Sequence, residues 1–307
     1  MKISFYPISN ENEKYQMHAL ANRYPSGCLH VTDLPYRLSS WALDDPDNVG
    51  LWFDDNRQLV AWAVLQTPFW EIDVVCHPDV EMDLHPEILA WADHRALALT
   101  DTPFGHPSWY INVFPGQVER IKDLEKAGYK SQANVGEDSI SKVLLRRSGQ
   151  VPIKIYKPPL GFVVRPLVGE KEVESYVELH RSVFETKNMT VEWRRRTLNQ
   201  PAYHPGLDII VESPDGRLAA FCVCWISENH MDGRVEPLGC HKDFRRYALG
   251  RVALSEGLHR LQTLGAKNIY VETDRFRNTA LRLYESFDFQ IEQEVLVYRK
   301  DYIKEEI

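Results

Sequence analysis

Apolar and polar positions alternate along this chain in short runs, and the same order of runs occurs twice. In residues 171–185, KEVESYVELHRSVFE, the positions Val173, Tyr176, Val177 and His180 recur at helical spacing. Leu254, Leu258 and Leu261 do the same in LGRVALSEGLHRLQTLG, and Gly265 stands where a helix stops. LDIIVE and LAAFCVCWIS have the composition of strands and flank Ser213-Pro214-Asp215-Gly216, which predicts a hairpin. GFVVRPLV ahead of them, and NHMDGRVEPLGC and NIYVETD after them, predict further strands. NTALRLYESF predicts a helix, and FQIEQEVLVYRKDY a closing pair of strands. The first half repeats this order more faintly. LWFDD and QLVAWAVLQ flank the turn Asp54-Asp55-Asn56-Arg57; FWEIDVVCH, WYINVF and SISKVLLRR read as strands, PEILAWADHRALAL and QVERIKDLEKAGY as helices.

A repeated phrase ties the halves together. Cys76-His77-Pro78-Asp79 precedes Cys240-His241-Lys242-Asp243 by 164 positions, and DLEKAGYKS precedes LYESFDFQI by about as many. Order and spacing together predict two similar α/β folds in tandem. The connector SGQVPIKIYKPPLG carries three prolines and two glycines. It sets the expected division: a first domain at 1–147, a linker at 148–159 and a second domain at 160–307.

Composition narrows the function. With 307 residues and 44% apolar side chains, each half can bury a core of its own. No apolar run is long enough to span a bilayer, and MKISFYPISNENEKY lacks the apolar centre of a secretion signal, so a cytoplasmic protein off the membrane is expected. A net charge of −8 argues against nucleic acid, whose phosphates reward clustered Lys and Arg. The five cysteines form neither CxxC pairs nor a metal-ligand spacing, so no metal is expected. Cys222 and Cys224 fall on one face of a strand and read as small buried hydrophobes.

The chemistry concentrates in CHKDFRRYALGRVAL, residues 240–254. A strand that runs directly into a helix presents unpaired N–H groups with the positive end of the helix dipole behind them. Ala248 and Gly250 are small enough to let a phosphate approach the backbone, and Arg245, Arg246 and Arg251 add charge around it. By physics alone this is an anion site.

The run Arg245-Arg246-Tyr247-Ala248-Leu249-Gly250 resembles the R/Q-x-x-G-x-G/A loop with which the GNAT acyltransferase superfamily holds the pyrophosphate of coenzyme A, with Ala248 in place of the first glycine. NTALRLYESFDF resembles the later family helix that ends in LYExxGF, with Asp288 at the glycine. The resemblance covers about residues 160–300 well and 1–145 weakly. It implies, for each domain, a mixed and mostly antiparallel twisted sheet flanked by helices. It also implies acetyl-CoA as co-substrate. Backbone groups near Leu238 and Cys240 would take the pantetheine arm, Arg245 through Arg251 the pyrophosphate, and Asn278 a further contact. Tyr284 matches the acid that protonates the departing thiolate. Glu236 lies four residues before Cys240 on the same strand face and is either a base for the amine or a sheet residue paired with Arg234 or Arg246. Pro237 beside it points to a bulge. His241 is expected as a structural hydrogen-bonder, the turn Glu228-Asn229-His230 as polar loop, and Glu192-Trp193-Arg194-Arg195-Arg196 as a solvated helix face.

The first copy differs at the loop. Val80-Glu81-Met82-Asp83-Leu84-His85 brings two carboxylates to the place of the arginines, no glycine occurs between Gly50 and Gly105, and Leu124 stands at the position of Tyr284. One active and one degenerate domain are therefore expected, with Trp52, Trp70 and Trp109 as core or cleft aromatics. The expected activity is acyl transfer to the amine of a small-molecule acceptor. A non-catalytic acyl-CoA-binding or scaffolding protein and a protein-amine acetyltransferase are the alternatives.

Overall fold

The computed structural model describes residues 2–133, 141–227, 229 and 231–302. The chain divides into two compact units, Met1–Lys142 with Gln293–Ile307, and Val143–Glu292.

In the first unit, β1 (Ser4–Pro7), β2 (Val49–Phe53), β3 (Leu59–Gln66) and β4 (Glu71–Cys76) pair antiparallel in chain order, and β4 meets β5 (Ser108–Val113) in parallel at Glu71 and Tyr110. Helix α1 (Glu11–Arg23) and the short α2 (Leu34–Arg37) connect β1 to β2, and α3 (Pro78–Leu99) connects β4 to β5. Then α4 (Val118–Lys126) follows, with β6 (Lys130–Ser131) after it. A capping box between Asn10 and Glu13 satisfies the start of α1. Both faces of the sheet are covered: Trp62, Val64 and Val75 pack with α1, whereas Ala61, Ala63 and Val74 pack with α3 and α4. That double burial is why LVAWAVLQ is almost uninterrupted in its hydrophobicity.

The second unit repeats the plan. β7 (Lys142–Ser148) leads into β8 (Val163–Pro166), followed by α5 (Val173–Phe184) and α6 (Val191–Leu198). β9 (Asp208–Glu212), β10 (Leu218–Ile226) and β11 (Asp232–Cys240) come next, then α7 (Leu249–Thr263), β12 (Asn268–Asp274) and α8 (Asn278–Glu285). β8 through β11 pair antiparallel in order, β11 and β12 are parallel, and β7 flanks β12. The hairpin turn falls at Ser213–Gly216 with Gly216 at φ 81°, and α7 ends at Gly265 with φ 87°, both as the turn residues predict. Ala220, Cys222 and Cys224 face Leu249, Ala253 and Leu258 of α7, while Phe221 faces Tyr176, His180 and Phe184 of α5. Cys222 and Cys224 place their sulfurs 3.6 Å apart, against Gly257, where a Cβ would lie 2.9 Å from both. Each half thus carries a mixed, mostly antiparallel sheet flanked by helices.

Two features differ from the sequence expectation. The closing segment is a single strand, β13 (Gln290–Asp301), rather than a pair. From Gln293 onward it belongs to the first unit, where Leu296–Asp301 pair antiparallel with Val113–Ser108 of β5. Residues expected as a linker, 148–159, lie within the second unit: Ile153 and Tyr156 pack on its core, the Gly149 N–H donates to Lys267 O, and Gln262 Nε2 donates to Gly149 O. Apolar side chains spaced along a proline-rich stretch make it a strap over α7 instead of a free connector.

Candidate active site

The strand β11 is bulged where chemistry was expected. Its register against β10 pairs Val235 with Cys224 and Leu238 with Cys222, so Glu236 and Pro237 together oppose Val223. The Trp225 indole donates to the Glu236 carbonyl at 2.8 Å and pins the bulge. On its other edge β11 pairs with β12 over Asp232–Arg234 and Asn268–Tyr270. Among the described residues no registered pair continues beyond these, although β11 runs on to Cys240 and β12 to Asp274. The β12-facing edge around Leu238 and Cys240 is therefore open to an extended ligand arm. Glu236, Leu238 and Cys240 are all half-buried along it.

After Cys240 the chain turns through the 3-10 segment Lys242–Tyr247 and closes at Ala248, which adopts φ 54° and ψ 27°. A left-handed residue other than glycine costs about 1 kcal/mol, so this turn is held by its surroundings. Buried Phe244 and Leu249 anchor its two ends. The start of α7 has no side-chain cap, and its first N–H groups point away from the helix. Arg245, Arg246, Tyr247 and Ala248 are exposed around it, and a Cβ on Gly250 would meet nothing within 4 Å. Arg245 and Arg246 form no ion pair among the described residues. Arg251 is turned aside, its guanidinium 5.3 Å from the centroid of the Tyr156 ring. Burial pushes the Cys240 thiol up to about 11, opposed by the Arg245 charge and the Gly250 N–H.

Tyr284 lies in α8, 7% exposed, with its ring edge-to-face against Phe289 at 5.8 Å. Burial first, then the nearby Glu236 carboxylate, hold its phenol well above the usual tyrosine range, so it stays protonated. Glu236 and Tyr284 are thus brought into electrostatic reach of one another across the splayed strands. Arg234, one of the partners expected for Glu236, pairs with Glu272 at 3.2 Å. Asn278 is the exposed first residue of α8, its N–H donating to Phe276 O.

His241 caps its turn by accepting the Asp243 N–H at 3.2 Å, and His77 accepts the Asp79 N–H at 3.1 Å in the first unit. The repeated Cys-His-x-Asp phrase is therefore a strand-end cap. Past it the copies diverge: α3 begins at once with Pro78, so Val80–His85 is helix interior and no loop intervenes. Glu81 is ion-paired with Arg120, which also donates to Gly27 O at 2.9 Å. Leu124 is fully buried in the core of that unit.

The charged run at 192–196 is only partly solvated. Trp193 and Arg194 are buried; Arg194 pairs with Asp208, which also accepts the Tyr203 hydroxyl at 2.7 Å, and lies 3.6 Å over the Tyr176 ring. Glu228 and His230 lie outside the described residues. Trp52 and Trp109 are core residues, whereas Trp70 is 43% exposed. Among the described residues, no cluster of three or more His, Cys, Asp or Glu side chains is placed to hold a metal ion, and no helix is long and apolar enough to cross a membrane.

The acetyltransferase (GNAT) family profile matches residues 173–289, which span the bulged strand, the loop and α8. A mycothiol acetyltransferase of Kineococcus radiotolerans is 32% identical over 134 residues, 42% of this chain and 43% of that protein, so the match spans less than half of its length. Among solved structures, a GCN5-related N-acetyltransferase from Sphaerobacter thermophilus superposes with a TM-score of 0.64 at 16% identity, over 98% of this chain and 96% of its own. A tandem GNAT protein from the clavulanic acid biosynthesis pathway gives 0.65 at 11% identity, over 99% and 100%. These two likenesses extend the fold over both units. Residues 173–289 thus match the acetyltransferase (GNAT) family, and the fold over both units is like that of these two solved structures.

Proposed function

We propose that the chain transfers an acyl group, most simply acetyl, from acyl-CoA to the amine of a small-molecule acceptor, with the chemistry in the second unit. The observation that carries this reading is the uncapped start of α7, flanked by Arg245 and Arg246 and set beside the parted strands β11 and β12. Among the described residues of the first unit, the start of α3 carries no such arginines, and Glu81 and Arg120 neutralise one another there.

The thioester supplies an activated acyl carbon. The first-turn N–H groups of α7 with Arg245 and Arg246 hold the diphosphate, and open space at Gly250 lets it approach. Backbone groups at Leu238 and Cys240 receive the arm. The neutral amine attacks the acyl carbon, and Glu236 takes the N–H proton it sheds as the new C–N bond forms. Tyr284 gives its proton to sulfur as the C–S bond breaks, and its raised pKa keeps that proton in place until then. The products are an amide and free coenzyme thiol. A small-molecule acceptor is supported by the curated relative, which is named for the small molecule mycothiol.

The test is release of free thiol from acetyl-CoA, measured against a panel of small primary amines and a panel of peptides with free amino groups. Amine-dependent release with at least one small amine and none with peptides is expected. Release with peptides alone would reassign the acceptor, and none with either would leave a binding protein.

A further inference from the structure

We propose that Tyr247 is the stacking platform for the adenine ring of the coenzyme. This rests on the acyl-CoA reading above and adds to it a purine subsite. Tyr247 immediately precedes the left-handed Ala248 and leaves 50% of its surface open to solvent. Its back is braced. Phe162 lies 5.3 Å from its ring centroid at an interplanar angle of 41°, and Phe244 lies 6.4 Å away at 55°. Phe244 is buried and Phe162 packs on the core of the unit, while Arg217 stands 4.8 Å over the Phe244 ring. The ring is thus packed against two aromatic neighbours while half of the residue's surface stays open to solvent.

Location gives that ring a use. A lone exposed aromatic needs no explanation, but this one lies in the same loop as two exposed arginines and the open helix start. An arm laid along the parted strands leaves the nucleoside end of the ligand at the loop, where Tyr247 stands. A purine is flat and presents a π face, which an aromatic ring receives without requiring hydrogen-bond readout. A solubilising side chain would serve the loop equally well if no base came there.

The experiment compares two probes by calorimetry: acetyl-CoA, and S-acetyl phosphopantetheine, which carries the arm and its first phosphate and lacks the whole 3′-phospho-AMP half. Tyr247→Ala is expected to weaken acetyl-CoA about tenfold, the scale of one base–aromatic stack, and to leave the shorter probe unchanged. Tyr247→Phe keeps the ring and is expected to bind both as wild type does. Equal weakening of both probes by Tyr247→Ala would mean that the side chain merely shapes the loop and would overturn the proposal. Unchanged acetyl-CoA affinity would overturn it too, with the coenzyme reading intact. If wild type binds neither probe, the coenzyme reading falls and this proposal falls with it.

Discussion

In the proposed reaction Tyr284 is the residue that supplies the proton to sulfur. It is nearly fully buried, next to the charge of Glu236, and both circumstances favour the neutral phenol. Tyr284→Phe removes the proton and keeps the ring against Phe289. We expect kcat to fall about a hundredfold with acetyl-CoA affinity within twofold, measured by thiol release and by calorimetry. Unchanged turnover with lost affinity would make the residue a packing element. At this scale the placement of the loop was legible, because it is written in consecutive residues: Arg245, Arg246, Ala248 and Gly250 are all at the helix start. Arg251 was not, since its direction is set by Tyr156, ninety-five positions earlier in the chain. Nor was the bond from Trp225 to the Glu236 carbonyl, which exists only because the bulge shifts the register between β10 and β11.

Elements were legible where one face is buried and the period is clean. The apolar positions named for α5 and α7 are the buried ones, and the bulge at Pro237 follows from a proline inside a paired strand. The charged run at α6 misleads, because adjacent arginines look solvated while the partner of Arg194 is Asp208 on β9. That buried pair has a consequence for α5. His180 is 6% exposed, and burial, then the charges of Arg194 and Arg181, lower its pKa from 6.5 to about 3. A depressed folded-state pKa means that the unfolded chain binds the proton first. Its contribution is intact above pH 6.5 and is lost as the pH falls toward 3. By pH 4.5 this one group costs about 3 kcal/mol of stability. Urea titrations of His180→Leu should show a shallower loss between pH 6.5 and 4.5 than wild type, and parallel curves would contradict this account.

At the scale of the whole molecule, the tandem plan was visible as a repeated order of strands and helices, with the parallel pair of strands and the following helix recurring in each unit. The division between the units was not, because it depends on pairing between β5 and β13, which are separated by most of the chain. No local pattern in FQIEQEVLVYRKDY announces that partner. The asymmetry of the two units is the central claim: one coenzyme site per chain, at the start of α7. Gly250→Glu tests it cleanly. A Cβ there meets nothing, so the fold tolerates the substitution while a carboxylate is set against the diphosphate. Calorimetric titration of acetyl-CoA should give one site per chain in wild type and none in the variant. Two sites in wild type, or one that survives Gly250→Glu, would contradict the account.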